Sequence, residues 1–212
     1  MSSDAAIVET GSSPEPREQP EQLDHRERAT PLMVGVVVWL TSELMFFGGL
    51  FAAWFTLRAA NPEWPPPGED IEPWRMLIGT ALLITSSFTI HLCLKHTDAG
   101  NRRNAIRWLA VTFTLGAVFL VNEALEWASL DFGFSASAFS TIFYLLTGFH
   151  GAHVLVGLVL MVLVGWVVYG QGSKVPPTNT MHGVGYYWHF VDVVWVILYI
   201  IVYVMTWASV GR

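Results

Sequence analysis

Several ionisable side chains sit inside otherwise apolar stretches of this 212-residue chain. Glu43 is alone in its stretch, while Glu123 and Glu126 stand three residues apart. His150 and His153 have the same spacing within FYLLTGFHGAHV, and His189 and Asp192 have it within YYWHFVDVVW. Residues three apart share one face of a helix. Carboxyls and imidazoles exchange protons and bind metals. Two His on one face, with Glu on other helices, could hold a metal in a bundle core. That reading makes the chain an independent membrane metalloenzyme using His150, His153 and Glu43. The di-metal carboxylate signature, however, places His three residues after Glu on two helices. Here the pairs are Glu–Glu, His–His and His–Asp. The preferred reading is an intramembrane polar network and proton environment of Glu43, Glu123, Glu126, His150, His153, His189 and Asp192. It assigns no catalytic residue and no metal ligand to the chain.

Position refines these expectations. Glu43 lies ~18 Å into its helix at ~1.5 Å per residue, near a bilayer midplane. It is either a proton-exchanging or lipid-contacting carboxyl, or a protonated group hydrogen-bonded for packing. Glu123 and Glu126 fall late in their stretch and read as an interfacial pair reaching headgroups or water. His91 reads as interfacial, and the single Cys93 as a small buried or lipid-facing hydrophobe. Trp39, Arg58, Trp64 and Arg75 are candidates for lipid contact, because aromatic and basic groups favour the membrane interface.

The elements that must position these groups are membrane spans. The chain is 53% hydrophobic and 13% charged, against about 25% charged for an ordinary soluble domain. Five apolar stretches, about 32–57, 76–94, 108–130, 139–169 and 184–210, each reach the ~20 residues that cross ~30 Å of hydrocarbon. In lipid, a single segment satisfies its backbone only as a helix. The fold class is therefore all-α, an integral membrane bundle of five transmembrane helices over 31–212. Residues 1–30, rich in Ser, Pro, Glu and Gln, read as a disordered cytoplasmic tail with no secretory signal pattern. Short connectors make successive helices antiparallel. With the N-terminus inside, Arg17, Arg26, Arg28, Lys95, Arg102, Arg103, Arg107 and Lys174 fall on the inner side, and Arg58, Arg75 and Arg212 on the outer. That bias favours N-inside and C-outside. Nothing resembles a nucleic-acid-binding basic stripe, a CxxCH haem attachment or a phosphate loop.

Four motifs in order carry a family resemblance: WLTSELMFFGGLF at 39–51, WPPP at 64–67, FYLLTGFHGAHV at 143–154 and YYWHFVDVVW at 186–195. Together they resemble the subunit III family of haem-copper oxidases, most closely the short, five-helix, actinobacterial-like subunit III of bacterial cytochrome c oxidase. The resemblance implies a non-catalytic core subunit of a proton-pumping aa3-type enzyme in the bacterial plasma membrane. It implies packing on subunit I, with subunit II as the entry for electrons, and haem and copper in those partners. It also implies bound phospholipid, support of proton uptake and protection during turnover, with cytochrome c or a cytochrome bc complex as an indirect partner. Glu43 falls at the family's intramembrane carboxyl and Glu126 at the acidic residue ending the third helix. His150, His153, His189 and Asp192 match the family's His and Asp positions. Glu123 departs from the pattern, since relatives more often carry a neutral amide there. The matching subunit of a quinol oxidase, or a homologue attached to nitric oxide reductase, is the close alternative. A small transporter is the remaining class, disfavoured by the lack of matched broken helices.

Overall fold

The computed structural model describes residues 31–170 and 177–210. The expected tail, along with Arg17, Arg26, Arg28, Lys174 and Arg212 of the orientation argument, lies outside the described residues. Five stretches of helix are long and apolar enough to cross a membrane among the described residues. They are α1 (Pro31–Ala60), α2 (Pro73–Asp98), α3 (Arg102–Ser129), α4 (Ala138–Gly170) and a last span that begins as α5 (Pro177–Leu198). This last span passes through a π-helical turn, Tyr199–Val204, into α6 (Met205–Val210).

The helices outrun the apolar stretches at most ends. The fifth begins at Pro177, seven residues before the apolar run marks it. Apolar length records hydrocarbon thickness, whereas a helix continues into the polar interface until something caps it. Pro is suited to the first turn of a helix, where its missing N–H has no partner to lose; α2 starts at Pro73 in the same way. The α2–α3 turn is only three residues long. Gly100 takes φ +69° there, a conformation that favours glycine, and the Asn101 side chain caps α3 by accepting from the N–H of Asn104.

α2 packs on α3 and α5, α3 on α4, and α4 on α5, which closes a four-helix ring. α1 lies outside the ring, mainly against α4 and α5, and keeps a broad exposed face that includes Val37, Val38 and Met45. Lipid gives helices no hydrophobic reason to associate, so close packing and hydrogen bonds must hold them. Trp188 of α5 supplies both. It is fully buried, and its indole N–H donates to Ser86 Oγ of α2 at 2.8 Å. Its ring fits against Gly116 of α3 and Gly157 of α4, where a Cβ would lie 2.6 and 2.8 Å from ring carbons. One side chain thus touches all three other helices of the ring, and two of them must carry Gly at the contact. Trp195 Nε1 donates to Thr80 Oγ1 at 3.0 Å, and the hydroxyls of Thr89 and Thr112 meet at 2.8 Å.

The loop at 61–72 is fixed by Trp64, whose ring meets Trp54 and Phe139 at centroid distances of 5.1 Å. Glu69 joins the same loop to the α3–α4 connection, accepting from Ser137 Oγ at 2.6 Å.

Candidate functional site: three polar clusters within the spans

The ionisable residues do not form one network. They fall into three separate clusters and one isolated histidine, because residues three apart on a helix still differ by ~60° and can face different neighbours.

The first cluster joins α1 to α4. Glu43 Oε2 lies 3.1 Å from His153 Nε2, and Trp39 Nε1 donates to Glu43 Oε1 at 3.0 Å, one turn earlier on α1. His153 Nδ1 lies 2.6 Å from the carbonyl of Phe149. A carbonyl can only accept, so Nδ1 carries a hydrogen. The contact between Nε2 and Oε2 then holds one proton, whether written as imidazolium–carboxylate or as imidazole–carboxylic acid. Either form is neutral overall, which is how a carboxyl is tolerated at this depth. Phe47 packs edge-on to the imidazole at 5.0 Å. Trp39 stacks on Tyr187 at 5.0 Å, and the Tyr187 hydroxyl donates to the His153 carbonyl at 2.9 Å. The pair keeps part of its surface open, with side chains 24% exposed for Glu43 and 16% for His153.

The second cluster lies between α3, α4 and the π turn. The reading of Glu123 and Glu126 as an interfacial pair is corrected here: each is only 3% exposed. Glu126 Oε2 accepts from the Tyr203 hydroxyl at 2.7 Å. Tyr203 sits in the π-helical turn, where the extra residue per turn shifts the helix face. Glu123 packs so closely on α4 that a Cβ at Gly151 would lie 2.7 Å from its Oε2. Glu123 Oε1 is buried without a hydrogen-bond partner. Glu123 faces inward against Gly151 of α4, and Glu126 faces inward against the Tyr203 hydroxyl.

The third cluster joins α2 to α5. The Ser87 hydroxyl donates to Asp192 Oδ2, and Ser87 Oγ lies 2.9 Å from His189 Nδ1. His150 stands apart from all three clusters. It is fully buried, its Nε2 lies 3.3 Å from the Val191 carbonyl, and its ring faces Trp195 at 4.7 Å.

The set His150, His153 and Glu43 is therefore not brought together. Only His153 meets Glu43, while His150 turns into the ring. Among the described residues, no three of His, Cys, Asp and Glu converge on a point where a metal could sit.

The lipid-contact candidates also have protein neighbours. Trp39 is bound to Glu43. Arg75 donates to Ser129 Oγ and to the Leu125 carbonyl, tying the start of α2 to the end of α3. Arg58 and Trp64 line a crevice of about 490 Å³ that also takes in Glu63 and Asp70. A separate apolar groove of about 470 Å³ runs between α3 and α4, lined among others by Ile106, Phe113, Trp166 and Tyr169. Sequence reasoning missed this groove, as well as Ser87 and Tyr203. A lone hydroxyl in an apolar run carries no periodic signal, and a groove belongs to two helices rather than one.

Residues 22–209 match the family described as cytochrome c oxidase subunit III. The cytochrome c oxidase subunit 3 of Thermostichus vulcanus is 39% identical over 180 residues, which cover 82% of this chain and 87% of the relative. A probable cytochrome c oxidase subunit 3 of Mycobacterium bovis is 40% identical over 182 residues, 83% of this chain and 89% of the relative. The cytochrome c oxidase subunit 3 of Corynebacterium diphtheriae is 38% identical over 192 residues, 87% and 93%. With five membrane-crossing helices and a match that runs through all of them, this chain belongs to the cytochrome c oxidase subunit III family.

Proposed function

We propose that this chain is the non-catalytic core subunit III of a proton-pumping aa3-type cytochrome c oxidase in a bacterial plasma membrane. It packs on subunit I beside subunit II, which hold the haem and copper and take the electrons, and cytochrome c or a bc complex is its partner only indirectly, through them. The chain lies N-inside and C-outside, with residues 1–30 as a cytoplasmic tail. It supports proton uptake and turnover stability.

The Glu43–His153 contact is the observation that carries this reading. A proton shared by a carboxyl and an imidazole, partly open at the α1–α4 seam, moves between the two groups without changing the net charge of the pair, and a charge appears only when it is released to an outside acceptor. Such a pair suits a subunit that conditions proton supply to a neighbour. Lipid binding draws support from the α3–α4 groove. Arg102 and Arg103 precede Ile106 by one turn on the same helix face, which suits an acyl chain in the groove and an anionic headgroup above it.

The test is purification in mild detergent, with identification of the co-purifying chains and a haem spectrum. A co-purifying subunit with a copper-binding domain would assign the electron donor as cytochrome c; its replacement by a quinol-type partner would favour the quinol oxidase alternative. In that preparation, Glu43→Ala is expected to leave haem content unchanged while altering pumping or shortening activity during sustained turnover. Loss of the haem spectrum from an assembled Glu43→Ala complex would contradict the assignment of Glu43 to the proton environment.

A further inference from the structure

A second, smaller groove lies between α3 and α4, nearer the end of α3, with a volume of about 250 Å³. Leu120, Leu155, Gly148 and Gly151 line it, and so do two polar side chains, Glu123 and Trp127. These two are four residues apart and so are neighbours on one face of α3. Glu123 Oε1 and Trp127 Nε1 are both buried without a hydrogen-bond partner among the described residues, which is uncommon for buried polar atoms. Both side chains are held in place. The Trp127 ring rests on Gly148, where a Cβ would lie 3.2 Å from it, and meets Tyr144 edge-on at 5.3 Å. Glu123 Oε2 is pressed against Gly151.

The donors and acceptors select a partner whichever protonation state Glu123 holds. The indole N–H only donates, so it needs an acceptor. A carboxylate only accepts, whereas a neutral carboxylic acid has one O–H donor and one carbonyl acceptor. A carbonyl oxygen would serve the indole and the neutral acid, but it offers nothing to a carboxylate. An ammonium would serve the carboxylate and leave the indole unpaired. A hydroxyl serves both side chains in either state: its oxygen accepts from the indole, and its hydrogen goes to a carboxyl oxygen that accepts in both forms.

Volume and setting decide what carries the hydroxyl. A water molecule takes up ~30 Å³ of liquid, so one water would leave most of the groove empty, and more would lie against leucine. Leu155 is 55% exposed, so the groove opens toward the surrounding hydrocarbon. Glu123 lies ~9 Å before the end of α3 at Ser129, at ~1.5 Å per residue, on the apolar side of that end. No basic side chain lines the groove, so a phosphate headgroup finds no counter-charge in it. An apolar molecule with a neutral hydroxyl meets every condition. The small residues at 148, 151 and 152 suit a flat, rigid body, which also loses less freedom on binding than a flexible chain.

We infer that this groove binds a neutral lipid alcohol with a flat ring body, whose hydroxyl bridges Trp127 Nε1 and Glu123 Oε1. Both atoms belong to this chain, so the site stands or falls separately from the proposed function.

The experiment uses the full chain, in whatever complex it purifies with, reconstituted in phosphatidylcholine vesicles that contain a photoreactive sterol with a free hydroxyl. After illumination, adducts are mapped by mass spectrometry. The expected result is labelling within 120–127 and 148–155 that excess unlabelled sterol suppresses and the same ring system without its hydroxyl does not. This competition needs no variant, so it stands even where a substitution fails to fold. Trp127→Phe keeps an aromatic ring and loses the N–H, and is expected to weaken the labelling roughly fivefold, as befits one hydrogen bond. Glu123→Gln, which keeps an acceptor oxygen, is expected to retain the labelling, and Glu123→Leu to lose it. Equal suppression by the ring system without a hydroxyl would overturn the inference, since it would leave only an apolar surface. Equal suppression by added phosphatidylcholine would overturn it in favour of an ordinary phospholipid contact. Absence of labelling from both segments would also overturn it, leaving water or a hydroxyl of another protein as the partner of the two atoms.

Discussion

Replacing Trp188 with Ala is expected to lower stability by ~3–5 kcal/mol, the range for removing a buried Trp or Phe from a packed core. The value belongs at the upper end here. The indole fills the space between Gly116 and Gly157, and neither glycine has a side chain that could relax into the cavity. Ser86 also loses the donor that reaches it from α5. Trp188→Phe keeps most of the ring volume and loses mainly that hydrogen bond, so it is expected to cost only ~1 kcal/mol. Gly116→Ala tests the same contact from the other side. Its Cβ would stand 2.6 Å from the indole, and overpacking of this kind costs ~1–3 kcal/mol. Thermal unfolding of the purified protein in detergent ranks the three variants. Equal midpoints for Trp188→Ala and Trp188→Phe would show that the centre of the ring is not packed as described.

Gly151→Ala is expected to be the second most damaging small change, again at ~1–3 kcal/mol from overpacking. The new methyl would sit 2.7 Å from Glu123 Oε2, and the carboxyl has little room to move because it is nearly fully buried. Removing the obstacle should restore the loss. In Gly151→Ala combined with Glu123→Ala, the added methyl enters space that the shortened side chain vacates. The double variant is therefore expected to be more stable than the sum of the single changes by ~0.5–3 kcal/mol, the range for residues in contact. Additive effects would mean that Glu123 does not rest on Gly151. The same result would return Glu123 to the interfacial role that its position near the end of α3 suggests.

Much of the architecture was legible because the bilayer imposes simple requirements. A span must be about twenty apolar residues long and must be helical, and the stretches around Glu43, Ser87, Phe119, His153 and Asp192 all meet that description. The ends of the helices were less legible. The start of α5 at Pro177 lies in polar sequence where apolar length is silent. The π turn at Tyr199–Val204 is written in the run YIIVYV, whose composition is that of any apolar helix. The clusters were legible by residue type but not by partner. His150 and His153 look equivalent in sequence, yet one faces the aromatic centre of the ring and the other faces α1.

The sequence by itself determined that the chain lies in a membrane, that it crosses five times as helices, and, through four ordered motifs, which family it belongs to. These properties depend on local composition, on length and on residues counted along one strand of chain. The tertiary structure decided which ionisable groups meet. It joined Glu43 to His153, Glu126 to Tyr203 and Ser87 to both His189 and Asp192, and it left His150 alone. That choice depends on which helix stands opposite each face. In lipid the answer comes from the close approach that residues such as Gly116, Gly151 and Gly157 permit between helices far apart in sequence, and a single helix cannot encode it.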